Sequence, residues 1–136
     1  MSSNLVIAES VSQARVPVTV FQISGEINSN SYMQLQLQAD AAHAAGMHNL
    51  VLDLKNVPYM SSGGLRALHH IFTILRTDTP QESAETMSKG LRDGTFKSPH
   101  LKLVSPNAAV HEVLKVSGFD MYLEIHRNLK EALASF

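Results

Sequence analysis

Two hydroxyls and two glycines stand together at Ser61-Ser62-Gly63-Gly64. They follow the apolar run Leu50-Val51-Leu52-Asp53-Leu54 through a short link, Lys55 to Met60. After them Leu65, Leu68, Ile71, Phe72 and Leu75 recur at helical spacing. The spacing places both serines at the N-terminus of an amphipathic helix, just past the C-terminal end of a strand. Open α/β sheets carry their functional sites at that edge. A helix N-terminus also offers unpaired N–H groups and a partial positive charge. The chemistry this suits is acceptance of a phosphate, covalently on a hydroxyl or as a bound ligand. Ordinary capping uses the same residue types, since Ser is a preferred N-cap and Gly permits a tight turn.

Other chemistries find less support. The chain has no cysteine, which removes disulfides, thiolate catalysis and Cys-ligated zinc. His69 and His70 are adjacent in the expected helix, so their side chains point about 100° apart and cannot chelate one metal. His43, His48, His100, His111 and His126 are scattered, with no i, i+4 pair, and no metal site is expected. A serine hydrolase would need a base and an oxyanion hole, but no Gly-x-Ser-x-Gly elbow surrounds Ser61 or Ser62. Asp53 is near in sequence, yet a carboxylate without a placed histidine activates a hydroxyl poorly. Neither glycine-rich nucleotide-binding pattern occurs. The expectation is a protein without catalysis or cofactor of its own.

The elements that must position these serines read as follows. Leu5 to Ala8 is a short apolar run, and Val16 to Ile23 reads as a strand by its β-branched and aromatic content. Ser24-Gly25 ends it, and Asn28-Ser29-Asn30-Ser31 is a turn or helix-capping cluster. A helix from Ser31 to Ala45 follows, with Leu35, Ala39, Ala42 and Ala45 on one face and Gly46 as a C-terminal stop. Asn49 to Leu54 is apolar almost without interruption, as in a parallel strand covered on both faces. After the serine-led helix, Thr77 to Pro99 is polar, with two prolines, two glycines and seven charged residues. A connection this long is functional or unstructured, with a short helix from Glu82 to Lys89 as an option. His100 to Val104 is a further strand. Asn107 caps a helix with Val110, Val113 and Leu114 inward, and Gly118 stops it. Met121 to Ile125 forms a last strand, and Asn128 caps a final helix through Leu129, Ala132 and Leu133. Alternation of strands and helices after the opening pair predicts a mostly parallel or mixed sheet with helical cover.

Size and charge agree with one small domain. The chain has 136 residues, 44% of them hydrophobic, and a formal net charge of −1. That length predicts a single domain over 1–136, with 77–99 as an insertion. The balance of 11 basic and 12 acidic residues argues against nucleic acid or an anionic membrane as the main partner. No segment approaches the ~20 apolar residues of a membrane span, and Met1 to Gln13 lacks the pattern of a signal peptide. A cytoplasmic protein is expected.

The stretch from Asn49 to Leu68 (NLVLDLKNVPYMSSGGLRAL) resembles the signature of STAS domains, the fold of anti-sigma factor antagonists. Those domains show a hydrophobic strand ending in Asp-Leu, a short link, and a serine motif ending in Gly-Leu at the head of a helix. Ile23-Ser-Gly-Glu-Ile27 is similar to the family's strand-end segment. Leu101 to Val104, Val113-Leu114, Gly118-Phe119 and Glu131 to Leu133 follow its closing elements.

The resemblance implies a mixed central sheet covered by about four helices. It also implies a phosphorylation-controlled switch. The unmodified domain binds an anti-sigma factor with a GHKL-type ATPase fold and frees the sigma factor; that partner phosphorylates the serine, and a serine phosphatase resets it. Motif alignment puts the acceptor at Ser62, with Ser61 as second choice. Asn28, Tyr59, Met60, Ser61, Ser62, Gly63, Gly64, Leu65 and Arg66 are then expected at the partner surface, with Asn28 and Asp53 as neighbours of the acceptor. Met60 and Leu65 fit a core position equally well, and Arg66 is expected to be exposed. Many members carry Asp where this chain has Ser61 and Asn28. The alternative within the family is a scaffold subunit of a signalling or transport complex whose serine motif only shapes an interface.

Overall fold

A computed structural model describes residues 5–76 and 98–136. Five strands form one sheet in the order β1-β2-β3-β4-β5: β1 Val6–Gln13, β2 Pro17–Ser24, β3 Leu50–Asn56, β4 Leu101–Val104 and β5 Glu124–His126. β1 runs antiparallel to β2, and the other neighbours pair in parallel. The helices are α1 Tyr32–Ala44, α2 Ser62–Arg76, α3 Ala108–Val116 and α4 Leu129–Ala134. The sheet is mixed, as the alternation of elements predicts. The helix suggested for 82–89 lies outside the described residues.

The central strand shows why the sheet is covered on both sides. Leu50, Leu52 and Leu54 enter a large core with Leu35 and Ala39 of α1, Leu68, Ile71 and Leu75 of α2, and Val110 and Leu114 of α3. Val51 points the other way, into a smaller cluster with Val18, Val20, Val104 and Ala132 of α4. Strand side chains alternate between faces, so a run apolar on both parities requires two covered faces.

Helix ends follow local chemistry. Asn107 caps α3 by accepting from Val110 N–H at 2.8 Å, and Asn128 caps α4 by accepting from Glu131 N–H at 2.9 Å. α1 stops at a Schellman turn: Met47 N–H donates to the Ala42 carbonyl, Gly46 N–H donates to the His43 carbonyl, and Gly46 has φ +109°. Ala45, expected on the inner face, is exposed beyond the last turn.

Two boundaries depart from expectation. β1 continues to Gln13 rather than stopping at Ala8. It is an edge strand, mostly exposed on both faces and held by its ladder to β2, so burial imposes no alternation on its sequence. The last strand begins at Glu124, because Phe119–Met121 form a 3₁₀ turn after the left-handed Gly118. Phe119 and Tyr122 pack edge to face there, at 6.0 Å between ring centres, and fold the chain back before it can pair.

Candidate functional site

The site is built from two loops at the C-terminal edge of the parallel strands. Pairing between β2 and β3 continues into them: Gly25 N–H donates to the Asn56 carbonyl, Ile27 N–H to Tyr59, and Ser61 N–H back to Ile27, at 3.0–3.2 Å. Ile27 and Met60 form a parallel bridge. The serine motif is therefore tied by backbone to the loop that carries Asn28.

Two glycines close the remaining gap. A Cβ on Gly63 would sit 2.7 Å from Asn28 C and Ser29 N, and one on Gly64 would overlap the Met60 side chain and lie 3.0 Å from the Ile27 carbonyl oxygen. Any side chain here would push α2 off the 27–29 backbone. The reason for two glycines is thus close approach rather than a tight turn.

The two serines divide the roles that sequence left open. Ser61 is the N-cap: its hydroxyl accepts from Gly63 N–H at 3.2 Å, and its carbonyl accepts from Leu65 N–H. Ser62 is the first residue of α2 and is exposed. The hydroxyl at the helix end that is open to solvent is therefore Ser62, while Ser61 is half-buried.

Asn28 organises the facing loop. Its side-chain oxygen accepts from the N–H groups of Asn30 and Ser31, at 2.9 and 3.2 Å. Ser31, buried, donates its hydroxyl to the Glu26 carbonyl at 2.7 Å and accepts from Asn28 N–H. The cluster makes a closed turn. It does not cap α1 by a side chain.

The other expected site residues fall in three groups. Tyr59, Arg66 and Ser62 are exposed, and Leu65 is half-buried. Met60, Gly63 and Gly64 are buried, so of the expected partner-facing set these three seat the helix and offer a partner no side-chain surface. Met60 belongs to the large core. Asp53 departs from expectation more sharply. It shares strand parity with Val51, on the α4 side of the sheet, whereas α2 packs on the side of Leu50, Leu52 and Leu54. It accepts from Lys55 N–H at 3.1 Å and is no neighbour of Ser62.

Two contacts made by residues already expected here, one as a cap and one at the partner surface, escape sequence reading. Asn107, besides capping α3, donates its side-chain amide to the Pro58 carbonyl at 3.1 Å, which braces the link before the serines across a separation of 49 residues. Arg66 places its guanidinium carbon 5.6 Å from the centre of the Tyr32 ring, within cation–π range. Neither contact has a local sequence signal.

A serine, a histidine and a carboxylate do meet elsewhere. The Ser135 hydroxyl lies 3.4 Å from His126 Nε2, and Glu124 Oε1 lies 2.8 Å from the same nitrogen. A nucleophilic relay needs the serine and the carboxylate on different ring nitrogens, so this cluster is not one. Lys102, buried at β4, joins it through Glu124 and through the Ser135 hydroxyl and carbonyl. Among the described residues no group of three His, Asp or Glu side chains converges as a metal site would require, and no helix is long and apolar enough to cross a membrane.

The mixed five-strand sheet with the four helices described is the SpoIIAA-like α/β fold. The STAS domain model matches residues 9–79, more than half of the chain, and the chain belongs to that family. Solved structures with the same fold include an anti-sigma factor antagonist from Mycobacterium paratuberculosis, with TM-score 0.67 and 21% identity over 96% of this chain and 93% of that one. An anti-sigma-factor antagonist (STAS) domain protein from Planctomyces limnophilus gives 0.62 and 17%, over 98% and 97%. The Bacillus cell fate determinant SpoIIAA in its phosphorylated form gives 0.59 and 13%, over 93% and 96%. At such identities the likeness is one of fold. No curated protein sequence matches the chain.

Proposed function

We propose that this chain is an anti-sigma factor antagonist switched by phosphorylation of Ser62. In its unmodified form it binds an anti-sigma factor that is also a serine kinase of the GHKL ATPase type, and so releases a sigma factor. The kinase then transfers the γ-phosphoryl group of ATP to the Ser62 hydroxyl oxygen; ADP leaves, the hydroxyl proton is lost, and the complex dissociates. A serine phosphatase restores the binding form. The chain works as a single cytoplasmic domain, with no catalysis of its own.

The observation that carries this reading is the division of labour between the serines. Ser61 is committed to capping α2, while Ser62 is exposed at its first position. A phosphate on Ser62 adds roughly −1.5 to −2 charges beside the positive end of a helix, where the fold tolerates it. Across a docked interface the same charge is costly through desolvation and repulsion. That a phosphorylated form of a Bacillus relative shares the fold agrees with a modification that leaves the domain folded.

The test is capture from the chain's own cell lysate with wild type and Ser62→Asp side by side. Wild type alone should retain an ATP-binding kinase. If both forms retain the same partner, and that partner has no ATPase fold, the scaffold reading replaces the switch.

A further inference from the structure

We propose that Arg66 reads the modification. On phosphorylation of Ser62, the Arg66 guanidinium leaves the Tyr32 ring and pairs with the phosphate one helical turn before it. The inference rests on the preceding assignment of Ser62 as acceptor and adds how the modified chain rearranges.

Position and competition both favour the exchange. Ser62 and Arg66 are four residues apart on α2, and both are exposed. An acid one turn N-terminal to a base is the favourable orientation for such a pair on a helix. A guanidinium also matches a phosphate by paired N–H donors, which an aromatic ring cannot offer. The existing partner is weak by class: Arg66, itself exposed, sits 5.6 Å from the centroid of the half-buried Tyr32 ring in a cation–π contact. Among the described residues it has no carboxylate partner. The two positions flanking the acceptor, Asn28 and Ser61, carry no charge, so no acid there competes for the guanidinium.

The exchange reaches beyond Ser62 itself. Tyr32 opens α1, and Met33 and Leu37 of the same helix are 45% and 60% exposed. Departure of Arg66 uncovers the ring beside them, so the modified and unmodified chains differ over the start of α1 as well as at the phosphate.

The experiment uses the full chain with phosphoserine encoded at position 62 during translation, which makes it independent of any kinase. Phosphorus NMR follows the second ionisation of the phosphate, ordinarily near 6, in the wild-type background and in Arg66→Gln. With Arg66 present the midpoint should lie lower by about 0.2–0.4 of a pH unit, the size expected for one solvent-exposed charge pair four residues apart on a helix. The Arg66 δ-protons, shifted by the Tyr32 ring before modification, should lose that shift afterwards. A midpoint unchanged by Arg66→Gln, or δ-protons still ring-shifted in the phosphorylated chain, would overturn the proposal. A chain that passes here but is never phosphorylated in its cell would instead overturn the functional assignment.

Discussion

Gly63→Ala is the most direct probe of how the site is held. The added methyl would sit 2.7 Å from Asn28 C and Ser29 N and 2.8 Å from the Asn28 carbonyl oxygen. All three are backbone atoms, so no side-chain rotation relieves the contact. Overpacking of this kind costs about 1–3 kcal/mol. Alanine recovers up to about 1 kcal/mol of helix propensity over glycine, which leaves a net loss of about 1–2 kcal/mol. With an unfolding entropy of about 0.3 kcal/mol/K for a chain of this size, Tm should fall by about 3–7 °C. The amide signals of Asn28, Ser29 and Ser62 should move, since the two loops are parted. Gly46→Ala is the control: Gly46 has φ +109° and nothing within 4 Å of a Cβ, so its cost is backbone strain of about 1–2 kcal/mol with the site signals unmoved. A Gly63→Ala chain as stable as wild type, with Asn28 and Ser29 unshifted, would refute the close approach of α2 to that loop.

Further outcomes follow from the contacts around the site and the second core. Ser61→Ala removes the α2 cap and should cost about 1 kcal/mol in urea unfolding, whereas Ser62→Ala at an exposed position should stay within about 0.5 kcal/mol of wild type; equal losses would contradict the assigned roles. Asn107→Ala loses both the α3 cap and the brace on Pro58, so its cost in the same assay should be about 1–2 kcal/mol, and amide shifts should spread to Tyr59 and Ser61. Burial alone would raise the Glu124 carboxyl, but the hydrogen bond with His126 and the charge and hydrogen bond of Lys102 outweigh it and hold it below its ordinary 4.5. A carboxylate depressed in the folded state stabilises above its unfolded value and loses that contribution as pH falls through the folded one. Stability of the wild type should therefore drop below about pH 4.5, and Glu124→Gln should flatten that acid limb while Lys102 and Ser135 remain paired.

Much of this architecture is written in local signals. The unbroken apolar run at Leu50–Leu54, the helical spacing from Leu65 to Leu75, and the caps at Asn107 and Asn128 each name an element whose structure follows. Weaker local signals account for the errors in extent. Residues 9–13 of β1 are mostly exposed, so nothing beyond pairing with β2 marks them as strand. The 3₁₀ turn at Phe119–Met121 depends on ring packing between Phe119 and Tyr122, which spacing alone does not reveal.

At the site, the motif placed Ser61 and Ser62 at a helix start, but their division into cap and exposed hydroxyl depends on which one turns toward Gly63 N–H. The position of Asp53 is a matter of strand parity: the family resemblance implies a neighbour of Ser62, and alternation puts its side chain on the opposite face of the sheet. Lys102 is the clearest case of long-range control. In sequence it is a lysine inside an apolar strand; in the fold it is 2% exposed, because Ser135 and Phe136 close over it from 33 and 34 residues away.

The proposed switch requires that Ser62 be the hydroxyl whose phosphorylation ends partner binding. The most direct measurement adds Mg-ATP to the complex captured by the wild-type chain and maps the modification by mass spectrometry while following release. The expected result is a single phosphoryl group on Ser62, release in step with its appearance, and a complex with Ser62→Ala that ATP does not dissociate. Release without modification, or a phosphoryl group on Ser61 with Ser62 untouched, would contradict it.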